Sequence, residues 1–222
     1  MKREVPPITR QLHRLLWIIS VLWLNNVVAQ PTASVQQYYY YYKGSPVTFA
    51  PIVSYQSDNK LYFEGRFNYE DINTASFYVG RTFDAGSDLS VSFTPIAGAV
   101  FGFYKGASLG ANVYVNYKRL NLYHQPQYTV SIDSRENNFL YSWSDLSIDI
   151  TDHFAVGLSA QHTKMYFEKG MLEKGVMVQF AFKNWSLPIY SYNPASADRY
   201  FLIGLTYEWE GKRRKKQEES VQ

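Results

Sequence analysis

The sequence has no cysteine and only four histidines among its 222 residues. The lack of cysteine excludes disulfide bonds, thiolate metal sites and cysteine nucleophiles. An exported chain without disulfides has to obtain its stability from a large core or from a membrane. Glycine loops that cradle phosphates, clusters of metal ligands and nucleotide fingerprints are absent from the sequence as well. We therefore expect no cofactor and no metal.

Long hydrophobic runs are also missing. The longest, Leu15–Leu24, has ten residues, whereas a membrane-spanning helix needs roughly 20. Basic residues including Arg10 and Arg14 precede this run, and the small residue Ala29 follows it. A basic stretch, a short apolar run and a small residue are typical of a secretory signal peptide. The sequence predicts such a peptide over residues 1–29, with cleavage near Ala29.

Positive charge is concentrated at the two ends of the chain. The formal net charge is +3, and residues 1–29 account for it with four basic residues against Glu4. Residues 211–222 contain five basic residues against Glu218 and Glu219, which predicts a disordered, solvated tail able to contact anionic lipid headgroups or cell-wall polymer. Residues 30–210 carry a net charge of −3. The basic isoelectric point therefore does not indicate nucleic-acid binding.

After residue 30 the chain shows no sustained helical periodicity, and alternation recurs instead. In the segment Lys60–Glu70, the residues Leu61, Phe63, Gly65, Phe67 and Tyr69 share one face, while polar residues share the other. The same pattern runs through Ala107–Lys118 and Phe201–Trp209. A period of two residues is typical of a β-strand whose two faces meet different environments.

Turn-forming residues divide the region from Val47 to Trp209 into eleven strand-like segments. Single-chain bacterial barrels usually have an even number of strands. Either two segments form one long strand, or the tyrosine-rich segment before Gly44 adds another. The sequence predicts an all-β fold, an antiparallel up-and-down transmembrane β-barrel over residues 47–210. Twelve strands are favoured, with ten or eight as alternatives.

The N-terminal segment 30–46 contains five consecutive tyrosines, Tyr38–Tyr42. Tyrosine favours strands, so the simplest interpretation is a linker or an extra edge strand outside the barrel. An aromatic platform for a glycan or for peptidoglycan is the alternative.

Aromatic residues make up 18% of the chain. Tyrosine and tryptophan are favoured where one end of a side chain is dry and the other is wet, as at a membrane interface. The polar strand faces carry mainly Asn, Gln, Ser, Thr and Tyr, and lack the Lys and Glu density of a solvated exterior. Both observations favour a membrane barrel, and a soluble periplasmic ligand-binding barrel is the alternative. The predicted aromatic girdle consists of Phe103, Tyr104, Trp143, Tyr166, Phe167 and Trp209.

The chain resembles the bacterial outer-membrane β-barrel proteins in three features. These are the export signal, about a dozen strands linked by hairpins, and a last strand that ends in aromatic residues, Tyr207–Trp209. More narrowly, Phe139–Tyr166 (FLYSWSDLSIDITDHFAVGLSAQHTKMY) resembles uncharacterised porin-like barrels of Bacteroidota. The resemblance covers nearly the whole mature chain. It implies location in the outer membrane, with the outer-membrane lipids and the barrel-insertion machinery as partners. Such barrels typically end at the terminal aromatic residue, whereas here a basic tail follows Trp209.

Polar positions on the alternating strands are candidates for the barrel lumen. In a narrow barrel, charged groups must pair, because an unpaired charge away from water is costly. They therefore form either an ion-paired plug or a charged constriction that tunes the passage of small solutes. A barrel of twelve strands can hold a narrow channel, whereas side chains fill one of eight. The predicted lumen-lining residues are Glu64, Arg66, Asn112, Asn116, Asp145 and Asp149.

The sequence thus predicts a non-enzymatic outer-membrane barrel, either a narrow porin-like channel for small solutes or a structural envelope protein. A membrane-embedded lipid-modifying hydrolase or acyltransferase is an alternative, and it requires a nucleophile with a base beside it. His162 is the best candidate base. Alternation places His162 on the face opposite Ser159 and Thr163, so a Ser–His pair within that strand is geometrically poor.

Overall fold

The computed structural model describes residues 31–211, which form thirteen β-strands and one short 3₁₀ turn, Arg135–Asn137. The predicted signal peptide and the basic tail beyond Gly211 lie outside the described residues. Within the described part of the chain, no helix is long and apolar enough to cross a membrane. The strands are β1 Thr32–Tyr42, β2 Thr48–Gln56, β3 Leu61–Phe67, β4 Thr74–Arg81, β5 Phe83–Ala85, β6 Leu89–Gly102, β7 Gly106–Tyr117, β8 Leu120–Ser131, β9 Phe139–Thr151, β10 Phe154–Met165, β11 Met171–Phe182, β12 Trp185–Tyr192 and β13 Tyr200–Glu210.

The strands pair with their sequence neighbours into one closed antiparallel ring. Strands β4 and β5 occupy one position in this ring, because both pair with β6 in a single register that continues from Gly80–Ile96 to Phe83–Phe93. The ring closes between β1 and β13, which pair over eleven residues from Thr32–Glu210 to Tyr42–Tyr200. The predicted antiparallel barrel of twelve strands is therefore confirmed.

The tyrosine-rich segment forms the first barrel strand, β1, which pairs with both β2 and β13. The boundary predicted at Val47 is wrong in this respect, since the barrel begins at Thr32. Tyr38 is buried in the interior, whereas Tyr39 and Tyr41 are exposed on the outer wall. A tyrosine ring suits an apolar exterior and its hydroxyl suits a polar interior, so an unbroken tyrosine run can occupy both faces of one strand.

The outer wall is apolar and the interior is polar. This is the reverse of a soluble barrel, whose apolar face points inward, and it is the arrangement of a transmembrane β-barrel. Exposed side chains on the outer wall include Val35, Phe63, Phe77, Leu109, Leu146, Leu158, Val176 and Phe201. Buried polar side chains of the interior include Ser34, Glu64, Arg66, Thr74, Thr94, Ser108, Asn112, Gln127, Thr129, Ser159 and Gln161.

The two ends of the barrel differ in the length of their connections. Both described chain ends lie at what we call the turn end, where the connections 118–119, 152–153 and 183–184 have two residues each. Lys118 and Lys183 adopt positive φ angles of 55° and 53°, which are typical of tight hairpins. At the opposite, loop end, the longer connections include 68–73, 132–138 and 193–199.

Candidate functional site

The interior of the barrel contains cavities at both ends. A turn-end cavity of about 350 Å³ extends from Thr32 and Glu208 to Glu64 and Trp143 in the middle of the barrel. Two loop-end cavities lie on the other side. The first has a volume of about 310 Å³ and contacts Tyr104 and Phe139. The second has a volume of about 580 Å³ and contacts Tyr40, Tyr42 and Arg199. Tyr69 lines all three cavities and therefore lies in the wall between the two ends.

Tyr69 reaches the interior because the connection 68–73 folds into the barrel. Strand β3 ends at Phe67, and Asn68 adopts a left-handed φ of 56°. This reverses the alternation, so Tyr69 does not share the outer face with Phe63 and Phe67 as the pattern predicts. Asn68 also fixes the connection, because its Oδ1 accepts from the backbone N–H of Asn73 at 2.7 Å and its Nδ2 donates to the carbonyl of Phe49 at 3.0 Å.

The ring of Tyr69 is held on three sides. Its hydroxyl donates to Oε1 of Gln125 at 2.5 Å, and the Arg66 guanidinium carbon lies 4.6 Å from the ring centroid. The ring of Tyr141 meets it edge-on, with 5.8 Å between centroids. Burial raises the pKa of the Tyr69 phenol well above its ordinary value, and the charge of Arg66 opposes this shift. The phenol therefore stays neutral and remains a hydrogen-bond donor.

Arg66 lies at the centre of a buried ion-pair network beside Tyr69. Its Nε donates to Oε1 of Glu64 at 2.6 Å, and its Nη1 donates to Oε1 of Glu70 at 3.2 Å and to Oε1 of Gln127 at 2.8 Å. Glu70 belongs to the inward-folded connection, and it also accepts from the hydroxyl of Tyr78 at 2.7 Å. Because Glu70 is fully buried, its pairing with Arg66 anchors the connection that carries Tyr69.

On the opposite wall, Trp143 and Asp145 of β9 form a second polar network. The indole Nε1 of Trp143 donates to Oδ1 of Asp145 at 2.8 Å. Asp145 also accepts from the hydroxyl of Ser159 at 2.5 Å and from that of Tyr190 at 3.0 Å. The indole packs against the rings of Tyr38 and Tyr190, with centroids 5.3 and 5.5 Å away. Asp145 thus has neutral hydrogen-bond donors around it.

The residues predicted to line the lumen lie on the interior wall. Arg66 is buried behind the turn-end cavity as part of the ion-pair network. Asn112 accepts at Oδ1 from Nε2 of Gln125 at 2.9 Å, and Asp149 accepts from Nδ2 of Asn121 at 3.0 Å. The predicted residues that directly contact the turn-end cavity are Glu64, Asn112, Asn116, Asp145 and Asp149.

Two members of the predicted aromatic girdle, Trp143 and Tyr104, are placed wrongly by the sequence. Trp143 is 2% exposed because it alternates in phase with Asp145 and points inward. Tyr104 is buried at the loop end, where its hydroxyl donates to the carbonyl of Asn137 at 3.0 Å and its ring contacts Phe139. The remaining predicted residues are exposed, and they are Phe103, Tyr166, Phe167 and Trp209.

The inward position of Trp143 can be measured by fluorescence in lipid bilayers with brominated acyl chains. Trp17 and Trp23 fall in the predicted signal peptide, which leaves Trp143, Trp185 and Trp209. We expect a variant that retains only Trp143 to be quenched weakly, because its indole is buried in the lumen, and one that retains only the exposed Trp185 to be quenched strongly. Equal quenching of the two variants would contradict the inward position of Trp143.

Several lumen residues escaped prediction from the sequence. Tyr69 was hidden because the strand pattern runs past the end of β3 and places it on the outer face. Glu70 falls on the polar face that the pattern gives to Glu64 and Arg66, but it was not among the predicted lumen-lining residues. Gln125 and Gln127 were detectable, since they alternate with Tyr123 and Thr129 along β8 and share the inward face.

The histidines lie outside the lumen networks. His124 places its Nδ1 2.9 Å from the hydroxyl oxygen of Ser144 on the neighbouring strand β9. Both residues alternate out of phase with the inward residues Gln125 and Asp145, so this pair belongs to the outer wall. His153 lies in a tight turn, with its Nδ1 3.1 Å from the carbonyl oxygen of Ala181. Among the described residues, no group of three or more His, Asp or Glu side chains is arranged to hold a metal ion.

Comparison with known proteins identifies the architecture. No protein-family model matches the chain, and no curated protein matches its sequence. Among solved structures, a KdgM porin matches with a TM-score of 0.57 at 12% identity, covering 78% of this chain and 98% of the porin. A KdgM porin in complex with disordered oligogalacturonate gives a TM-score of 0.59 at 13% identity, with the same coverage. A NanC porin gives 0.54 at 12% identity, covering 80% of this chain and all of the porin. The chain therefore shares the closed β-barrel fold of these porins.

Proposed function

We propose that this protein is a narrow, non-catalytic channel for small solutes in the bacterial outer membrane. The observation that carries the proposal is the division of a polar lumen into cavities at both ends of the barrel by the side chain of Tyr69. A structural envelope protein has no need of a lumen that is polar and hollow at both ends. Cavities on both sides of Tyr69 favour a channel with a constriction over a solid plug.

The porins of similar fold support this proposal. One of them was solved in complex with a disordered oligogalacturonate, so a barrel of this fold can bind a solute. The wall of the lumen here is built from hydroxyl, amide and carboxylate groups, which offer hydrogen bonds to a hydrated solute.

The apolar outer wall supports a location in lipid, with the outer-membrane lipids as direct partners. Outer-membrane barrels have short periplasmic turns and longer external loops, so we assign the turn end to the periplasm. Export by a signal peptide cleaved near Ala29, insertion by the barrel-insertion machinery and an origin in Bacteroidota belong to the same proposal. Membrane fractionation and N-terminal sequencing of the mature chain test its location and its cleavage site. Recovery in the soluble periplasmic fraction would contradict it.

Conductance across a planar lipid bilayer tests the channel itself. We expect the purified, folded protein to produce discrete steps that are small compared with those of wide porins, because Tyr69 and the Arg66 network narrow the lumen. The same protein unfolded by heating serves as the control and should produce no steps. Folded barrels that insert into the bilayer and remain silent would contradict the channel function.

A further inference from the structure

The charges on the wall of the turn-end cavity have one sign. The described residues that line this cavity include four carboxylates and no lysine, arginine or histidine. The four are Glu64, Asp145, Asp149 and Glu208. Their neighbours on the wall are neutral side chains, chiefly tyrosine, asparagine, glutamine and serine. Any solute that crosses the barrel has to pass through this space.

Among the described residues, one of the four carboxylates, Glu64, forms an ion pair. Arg66 pairs with Glu64 at 2.5 Å, but it also pairs with Glu70, so its single positive charge faces two negative ones. Asp145 accepts hydrogen bonds from Trp143, Ser159 and Tyr190, all of which are neutral. The Arg66 network therefore supplies no positive charge to balance the rest of the cavity.

The described lining of the turn-end cavity places no lysine, arginine or histidine beside the two carboxylates at its mouth, Asp149 and Glu208. Asp149 accepts from the neutral amide of Asn121 at 3.0 Å. Glu208 belongs to β13, close to the turn end, and shares the inward face of that strand with Glu210. A second cavity at the turn end is lined by Lys183 as well as by Glu208 and Glu210, so its single cation faces two carboxylates. Among the described residues that line these two turn-end cavities, negative charge therefore exceeds positive charge.

The loop end is different, because its charges are mixed. The larger loop-end cavity is lined by Lys43 and Arg199 as well as by Glu173 and Asp198. Opposite charges in similar number give little net field in that cavity. The asymmetry places any discrimination between ions of opposite sign in the turn-end cavity.

We propose that the channel is selective for cations, and that Asp145, Asp149 and Glu208 set this selectivity in the turn-end cavity. A cleft lined by one sign of charge, with walls of low dielectric constant, concentrates counter-ions and excludes ions of like charge. The electrostatic field of the carboxylates acts on every ion that enters the cavity, so the selectivity does not require a site that coordinates the ion. The solutes favoured are inorganic cations and small amines, and the tyrosine rings on the same wall offer them cation–π contacts. This selectivity rests on the proposed channel function.

The reversal potential in a potassium chloride gradient tests the selectivity. We expect the wild-type channel to prefer K⁺ over Cl⁻ roughly tenfold. This is the lower end of the effect that a cleft lined by one sign of charge has on the local concentration of counter-ions. The double variant Asp149→Asn/Glu208→Gln changes only the mouth and should lose most of this preference, and Asp145→Asn should reduce it further. The matched control Asp133→Asn/Glu136→Gln removes two exposed carboxylates of connection 132–138 at the loop end and should keep the wild-type value.

The possible results distinguish the two proposals. Silence of every variant after insertion would refute the channel function. Conductance without preference, or with preference for Cl⁻, would overturn the cation selectivity and leave the channel function intact. An equal loss of preference in the control would also overturn it, because the selectivity would then arise outside the turn-end cavity.

Discussion

Replacing Tyr69 with alanine is expected to raise the single-channel conductance several-fold. Tyr69 lines the turn-end cavity and both loop-end cavities, so its ring lies between the two sides of the barrel. We expect removal of the ring to open a passage between the cavities, whose volumes are about 350, 310 and 580 Å³. Planar-bilayer recordings of the variant and the wild type under the same salt conditions measure the change.

Two further variants serve as controls. One distinguishes the effect of the Tyr69 ring from that of its hydroxyl, and the other tests whether removing any tyrosine changes the conductance. Tyr69→Phe keeps the ring but loses the hydrogen bond to Gln125, and we expect its conductance to stay near the wild-type value. Tyr41→Ala removes a ring from the outer wall and should also leave conductance unchanged. If Tyr69→Ala conducts no better than Tyr41→Ala, the wall between the cavities is not Tyr69.

Replacing Arg66 with methionine is expected to lower the free energy of unfolding by about 3–5 kcal/mol, the usual cost of leaving a buried charge without its partner. Arg66 is 3% exposed and contacts Glu64 and Glu70, both of which are buried. Without it, two carboxylates face each other in the interior. Urea unfolding of the barrel in detergent micelles, followed by tryptophan fluorescence, measures the loss.

A compensated variant distinguishes unpaired charge from lost packing. In Glu64→Gln/Arg66→Met/Glu70→Gln the buried charges are removed together, so we expect most of the stability to return. Arg135→Met, in the exposed 3₁₀ turn, is the matched control and should change stability by less than about 1 kcal/mol. A loss in the compensated variant as large as that in Arg66→Met would assign the effect to packing.

Much of the barrel can be predicted from the sequence, because alternation repeats along every long strand. The faces predicted for Ala107–Lys118 agree with the structure, where Ser108 and Asn112 are buried inside and Leu109 is exposed outside. The number of ring positions depended on a detail of pairing, namely that β4 and β5 share one register on β6. Alternation identifies strands. Whether two short strands occupy one position in the ring depends on how both pair with the neighbouring strand, here β6.

The wall of the candidate site was less accessible to prediction. The direction of Tyr69 depends on the left-handed backbone of Asn68, and the alternating pattern continues through that residue without a break. Trp143 could not be assigned to a face by residue type, because tryptophan suits both a membrane interface and a polar interior that satisfies its N–H. The tyrosine run of β1 had the same difficulty, since identical residues carry no alternation at all.

The pairing of β1 with β13 has a consequence for how the protein is made. The seam joins the first described strand to the last, so the contacts that close it are those of greatest separation along the chain. Contacts of this kind form late and slowly. Until β13 has been synthesised and has arrived, β1 presents an unpaired edge rich in tyrosine, which is a template for aggregation. The edge of β1 is therefore protected only when β13 pairs with it and the ring closes.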